Sequence, residues 1–171
     1  MRVKLIAYTV LIFIMALLQS TVLDNMKIYN VKPNLLMVLI VCVALLSNNI
    51  EGAVIGFFCG LVQDMASGKV IGFYALLGLY LGLGIGSLNK RLYKENVLVV
   101  VFFSFISTIV YEYVVYLLNS FVKGGIDYLF PLRYVILPEA VYNSVVSIFI
   151  FIIVIKINHR SEESGKLMRR Y

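Results

Sequence analysis

The sequence predicts an all-α membrane protein built as a six-segment helical bundle, and three observations carry that prediction. Of the 171 residues, 61% are hydrophobic and only 14% charged, with a mean hydropathy of +0.95. That is more apolar surface than one soluble core of this size can hide. The apolar residues fall into runs of helical length separated by short polar links. Finally, nine of the twelve glycines lie between Glu51 and Leu88, where Gly52, Gly56 and Gly60 recur every fourth residue and Gly78, Gly82 and Gly86 repeat the spacing. In water each interior glycine costs a helix roughly 1 kcal/mol against alanine. In lipid, small residues one turn apart form a groove into which a second helix backbone fits closely.

Arg2 and Lys4 precede the first segment, Leu5 to Val22. Its apolar core is too long for a cleaved leader and it lacks a small-residue cleavage site, so it reads as a transmembrane helix. Gln19, Ser20 and Thr21 give it a polar tip, with Gln19 either at the interface or bonded to a neighbouring helix. A polar link, Leu23 to Lys32, leads to Pro33, which suits a first helical position, and the second segment runs to Leu46. This run and the first glycine ladder, which ends at Asp64, are both short for a crossing. They are either two compressed spans or a re-entrant hairpin shielded by other helices.

After a turn containing Ser67 and Gly68, the fourth segment runs from Val70 to Leu88 and ends in a basic loop with Lys90, Arg91 and Lys94. The fifth is Val97 to Leu118, interrupted by Ser104, Ser107, Thr108 and Glu112. Residues Asn119 to Tyr134 read as a loop with an interfacial aromatic piece around Tyr128 and Phe130. Pro138 is expected to start the sixth helix, which ends at Ile157. Residues 1–157 thus form a single polytopic membrane domain, and 158–171 a short, charged cytoplasmic tail expected to be disordered. Ten basic residues fall on the side of the amino terminus and five on the other, which predicts that both termini are cytoplasmic. The net charge of +6 follows from this topology rather than from nucleic-acid binding.

An ionisable group at mid-bilayer costs about 2.5 to 3.5 kcal/mol, so each carboxylate in a span needs a reason. Glu51 and Glu139 sit where a helix dipole favours negative charge. Asp64 either marks an interface or, with Gln63, bonds the third helix to a neighbour or to the following turn. Glu112 lies among Tyr111, Tyr113 and Tyr116. It either snorkels, bonds a tyrosine hydroxyl, or belongs to a proton or ion relay. Cys42 and Cys59 have no metal or redox spacing, and His159 is in the tail. No nucleotide loop, zinc pattern or nucleophilic triad is present, so catalysis is not expected.

From Lys32 to Gly82 the elements fall in a particular order. Pro33 leads the second helix, and a small-residue ladder ends in Gly60, Leu61, Gln63 and Asp64, spaced G-L-x-Q-D. A turn at Gly68 follows, and then Gly72, Ala75 and Leu76 as G-x-x-A-L. This combination resembles the family of rod shape-determining protein MreD. The resemblance implies a non-enzymatic subunit of the rod complex, or elongasome, in the bacterial cytoplasmic membrane, with no cofactor. Family members associate with MreC, and through it with the actin-like MreB, the glycosyltransferase RodA and a class B penicillin-binding transpeptidase. It also implies a fold similar to the membrane substrate-binding subunits of energy-coupling-factor vitamin transporters. Such a subunit is the alternative function, with Glu112, Tyr113, Glu139 and Asn143 lining an extracytoplasmic pocket. Its weakness is a first helix without paired small residues at spacing four. A proton-coupled carrier is a third reading, but no repeat of broken helices is evident. On the first reading Gly52, Gly56, Gly60 and Asp64 shape the internal bundle and leave another face for MreC.

Overall fold

A computed structural model describes residues 2–25, 31–68, 71–88, 96–123 and 131–168. The elements are α1 (Arg2–Asn25), α2 (Leu35–Leu46), α3 (Asn49–Ser67), α4 (Phe73–Leu88), α5 (Val97–Lys123), a π-helical turn (Leu132–Ile136) and α6 (Leu137–Met168). The described residues contain no β-strand element. The basic loop at Lys90, Arg91 and Lys94 and the aromatic piece at Tyr128 and Phe130 lie outside them.

The bundle is organised around α2. All twelve of its residues are buried, and α1, α3, α4, α5 and α6 all pack on it. A helix that is apolar on every side suits either lipid or the centre of other helices, and here the other helices surround it. At 1.5 Å per residue, α2 is about 18 Å long, well short of a hydrocarbon core of about 30 Å. It is therefore a central half-length helix enclosed in protein. The pairing of a short second with a short third segment divides here, because α3 has 19 residues and is long enough to cross. By length and composition, α1, α3, α5 and the helix from Leu132 to Ser161 can all span a membrane. On α1, Tyr8, Leu11, Ile12 and Met15 face the core while Ile6, Val10, Phe13 and Leu17 face out.

Several boundaries differ from the sequence expectation. Residues 119–123 and 131–134, expected in a loop, are helical, since α5 continues to Lys123 and the backbone is helical from Pro131. Four further differences each have a local reason. Pro33 does not open α2. Asn34 caps it instead, its side-chain oxygen accepting from the Met37 N–H at 3.1 Å. The fourth helix starts at Phe73 rather than Val70, because its first N–H groups are held by Asp64. Pro138 does not start α6, since helical backbone already precedes it. The π-helical turn closes with the Leu137 N–H donating to the Leu132 carbonyl, and this widened turn accommodates a proline that has no N–H of its own. Nor are residues 158–168 of the tail irregular, because α6 continues to Met168. The preceding span supplies the helix nucleus, so continuing the helix needs no new nucleation.

Candidate functional site

The two glycine ladders meet each other. α3 and α4 run antiparallel, with Gly52 opposite Gly82 and Gly56 opposite Gly78, while Gly60 meets the Tyr74 carbonyl and Gly86 meets Asn49. A Cβ on Gly56 would fall 2.7 Å from the Gly78 carbonyl carbon, one on Gly60 2.5 Å from the Ala75 Cα, and one on Gly86 2.7 Å from the Asn49 Cα. None of these spaces admits a methyl group. Where the Cβ would go, the Cα–H of Gly56 points at the Gly78 carbonyl oxygen and that of Gly78 at the Gly56 oxygen. Such weak Cα–H···O contacts recur wherever helix backbones come this close. The core helix closes the seam from behind, with Ala44 Cβ 3.0 Å from the position of a Gly52 Cβ and Ile40 Cδ1 3.2 Å from that of Gly78.

Asp64 terminates the seam. Its side chain is 1% exposed and accepts three backbone hydrogen bonds from the start of α4. Oδ2 takes the N–H of Gly72 at 2.8 Å and of Ala75 at 3.1 Å, and Oδ1 that of Tyr74 at 2.8 Å. A residue at the end of one helix thus caps the amino terminus of the next, where orphan N–H groups and the dipole favour a carboxylate. The intervening turn needs glycine twice. Gly68 ends α3 at φ 63° and Gly72 sits at φ 100°, conformations that other residues rarely adopt. Of the two readings of Asp64, the bond to the following turn and helix is the one found. The Gln63 side-chain oxygen is buried and has no hydrogen-bond partner among the described residues.

A second polar group gathers at the same end of the bundle, around the amino terminus of α2. Asn143 is fully buried on α6; its Oδ1 accepts from the Asn34 N–H at 2.8 Å, and its Nδ2 donates to Thr108 Oγ1 at 3.1 Å. Thr108 in turn donates to the Ser104 carbonyl at 2.7 Å. Asn34 Nδ2 donates to Glu112 Oε1 at 3.3 Å, and the Glu112 and Glu139 carboxyl groups lie within hydrogen-bonding reach of each other. From α1, Gln19 Oε1 accepts from the Leu36 N–H at 3.3 Å, so it bonds a neighbouring helix. The expected set of Glu112, Tyr113, Glu139 and Asn143 is therefore brought together except for Tyr113. That residue is half-buried and makes no hydrogen bond among the described residues. Glu112 is bonded by an asparagine rather than by a tyrosine. The Tyr111 ring stacks on Tyr74 at 6.3 Å while its hydroxyl, buried, has no hydrogen-bond partner among the described residues. Glu139 is 8% exposed in the first turn of α6, but the π-helical turn continues the backbone ahead of it, so its neighbours rather than a free helix end surround it.

Sequence reasoning missed Asn34, whose signal was an asparagine directly before an apolar run. It also took Thr108 only as an interruption. At the opposite end, Lys4 Nζ pairs with Glu51 Oε2 at 2.5 Å and donates to Ser47 Oγ at 3.4 Å, tying α1 to the start of α3. No group of three or more His, Cys, Asp or Glu side chains that could hold a metal occurs among the described residues.

The glycine seam, the Asp64 cap and the bonded polar set around Asn34 hold helices to one another. Comparison with known proteins gives one family: the model for rod shape-determining protein MreD matches residues 1–160. No curated protein and no solved structure matches. Four helices long and apolar enough to span agree with a multi-pass membrane protein. Matched over nearly its whole length, the chain belongs to the rod shape-determining protein MreD family, and its role lies in rod shape determination as a membrane member of the MreBCD complex.

Proposed function

We propose that the protein is a non-enzymatic scaffold of the rod complex that binds MreC directly, and through it MreB, RodA and a class B penicillin-binding transpeptidase, in support of lateral peptidoglycan synthesis. The observation that carries this reading is the family match over residues 1–160. The geometry favours it as well. Gly52, Gly56, Gly60, Gly78, Gly82, Gly86 and Asp64 are occupied by α3–α4 packing, and Glu112 and Asn143 by the amino terminus of α2. These groups serve a rigid body in the bilayer, whose outward helix faces remain available to partners. Residues 1–157 act as one membrane domain in the bacterial cytoplasmic membrane. Both termini are cytoplasmic, in keeping with the ten-to-five distribution of basic residues.

The test is affinity purification of the carboxyl-tagged protein in mild detergent, with co-purifying chains identified by mass spectrometry. Recovery of MreC with cell-wall synthases is the expected result. Recovery of an energy-coupling ATPase module, or of a vitamin held near Glu112 and Asn143, overturns the scaffold reading in favour of transport.

A further inference from the structure

Tyr80 faces a solvent that cannot satisfy it. It is the eighth residue of the 16-residue α4, so at 1.5 Å per residue it lies roughly 10 Å from either helix end. Its side chain is 63% exposed, on one stripe with Leu76 and Leu88, which are also exposed. In a multi-pass protein that stripe meets hydrocarbon, which offers a hydroxyl no hydrogen bond. Shorter exposed hydroxyls bond back one turn, Thr9 Oγ1 to the Leu5 carbonyl and Ser87 Oγ to the Leu83 carbonyl. A tyrosine ring is too long to do so, and Tyr80 makes no hydrogen bond among the described residues. Leaning out to an interface does not help it either. Helix side chains tilt toward their own amino terminus, which for α4 is the Asp64 end. The glycine register sets Tyr80 level with Val54, in the Lys4 half of α3, so the ring tilts toward mid-bilayer.

One turn on, Gly84 has nothing within 4 Å of the place a Cβ would take, and it is exposed. The spaces at the ladder glycines of α3 and α4 are filled by the facing helix, whereas Gly84 leaves an open notch beside the tyrosine.

We propose that Leu76, Tyr80, Gly84 and Leu88 form a docking seam for a transmembrane helix of another protein, which sets a hydrogen-bond acceptor against Tyr80 and a large apolar side chain into the Gly84 notch. A second copy of this chain does not fit. A two-fold pair about the membrane normal would run α4 parallel to its mate and set ring against ring. One hydroxyl can then donate to the other, but the second donor is left without an acceptor, and no large side chain is brought into the notch. A different helix complements both, and a small or polar residue opposite the ring is what membrane helix contacts use. The seam deepens the scaffold reading and rests on it only in requiring a membrane-spanning partner.

The test places a photo-crosslinking benzoylphenylalanine at Leu76 in the full-length protein in its native membrane, with the same probe at Phe13 on the outer face of α1 as control. The Leu76 probe should capture a transmembrane segment that has Ser, Thr, Asn or Gln within one turn of the attachment point, and the Phe13 probe lipid. Tyr80→Phe should lower capture severalfold and Gly84→Phe at least tenfold, with unfolding temperature unchanged in detergent. Capture of lipid alone, of a second copy, or of a helix without an acceptor overturns the seam, as does Tyr80→Phe with undiminished capture. If MreC co-purifies while the Leu76 probe finds only lipid, the seam fails and the scaffold reading stands. If the probe captures such a helix and MreC is not recovered, the reverse holds.

Discussion

Replacing Asp64 tests most directly how the α3–α4 unit is held. In Asp64→Ala the three N–H groups of Gly72, Tyr74 and Ala75 lose their acceptor at once. The Gly72 and Tyr74 bonds are part-buried and the Ala75 bond is buried, so we assign about 1 kcal/mol to each of the first two and about 2 to the third, or about 4 kcal/mol together. Asp64→Asn keeps one oxygen. It can retain the Gly72 and Ala75 bonds but turns an NH₂ toward the Tyr74 N–H, for a loss of about 1–2 kcal/mol. The protein carries its own reporter, because Cys42 and Cys59 are both fully buried and are the only cysteines. A thiol-reactive fluorogenic dye in detergent therefore signals on unfolding. At roughly 2–4 °C per kcal/mol for a chain of this size, the alanine variant should melt roughly 10 °C below wild type and the asparagine variant roughly 4 °C below. An alanine variant that melts within about 2 °C of wild type would refute the assignment of Asp64 as the cap of α4.

The same assay reads the other contacts. Gly56→Ala forces a methyl group onto the Gly78 carbonyl and should cost about 2–3 kcal/mol, whereas Gly84→Ala, with open space around it, should be neutral or stabilising by about 0.5–1 kcal/mol; equal effects would contradict the register. Asn143→Ala removes the acceptor of the Asn34 N–H and should cost about 2–3 kcal/mol, against about 1 for Thr108→Val, so a larger loss at Thr108 would reverse the roles given to the two residues. Glu51→Gln breaks an ion pair whose carboxylate is 39% exposed, so the loss should stay below about 1 kcal/mol and shrink in high salt; a loss of several kcal/mol would show a buried pair instead.

Much of the α3–α4 unit could be read from spacing alone. Glycines repeated every fourth residue declare a close-packed face, and an aspartate at the end of one ladder before a glycine turn is placed to reach the next helix. Which face the ladders seek is not in the spacing. That Gly56 lies on Gly78 rather than on a partner depends on the length of the turn from Ser67 to Phe73 and on the cap that Asp64 supplies. The polar set was half legible. Glu112 and Asn143 stand out as polar residues in apolar runs, but their common partner Asn34 lies 78 and 109 residues away along the chain. Tyr113 looked equivalent to Glu112 by position, yet adjacent residues on a helix point about 100° apart and cannot share one site.

By itself the sequence determined that this is a helical membrane protein of the MreD family. Chains this apolar must present side chains to lipid and satisfy their backbones internally, and only helices do both segment by segment. Only the tertiary structure decided that α2 is the centre of the bundle. Leu35 to Leu46 is apolar on every face, so no periodicity marks an inward side, and a short apolar helix reads the same as a compressed span or as a core. What decides between them is that five other helices cover it, with Asn143 and Gln19 holding its first N–H groups where water would otherwise have been needed.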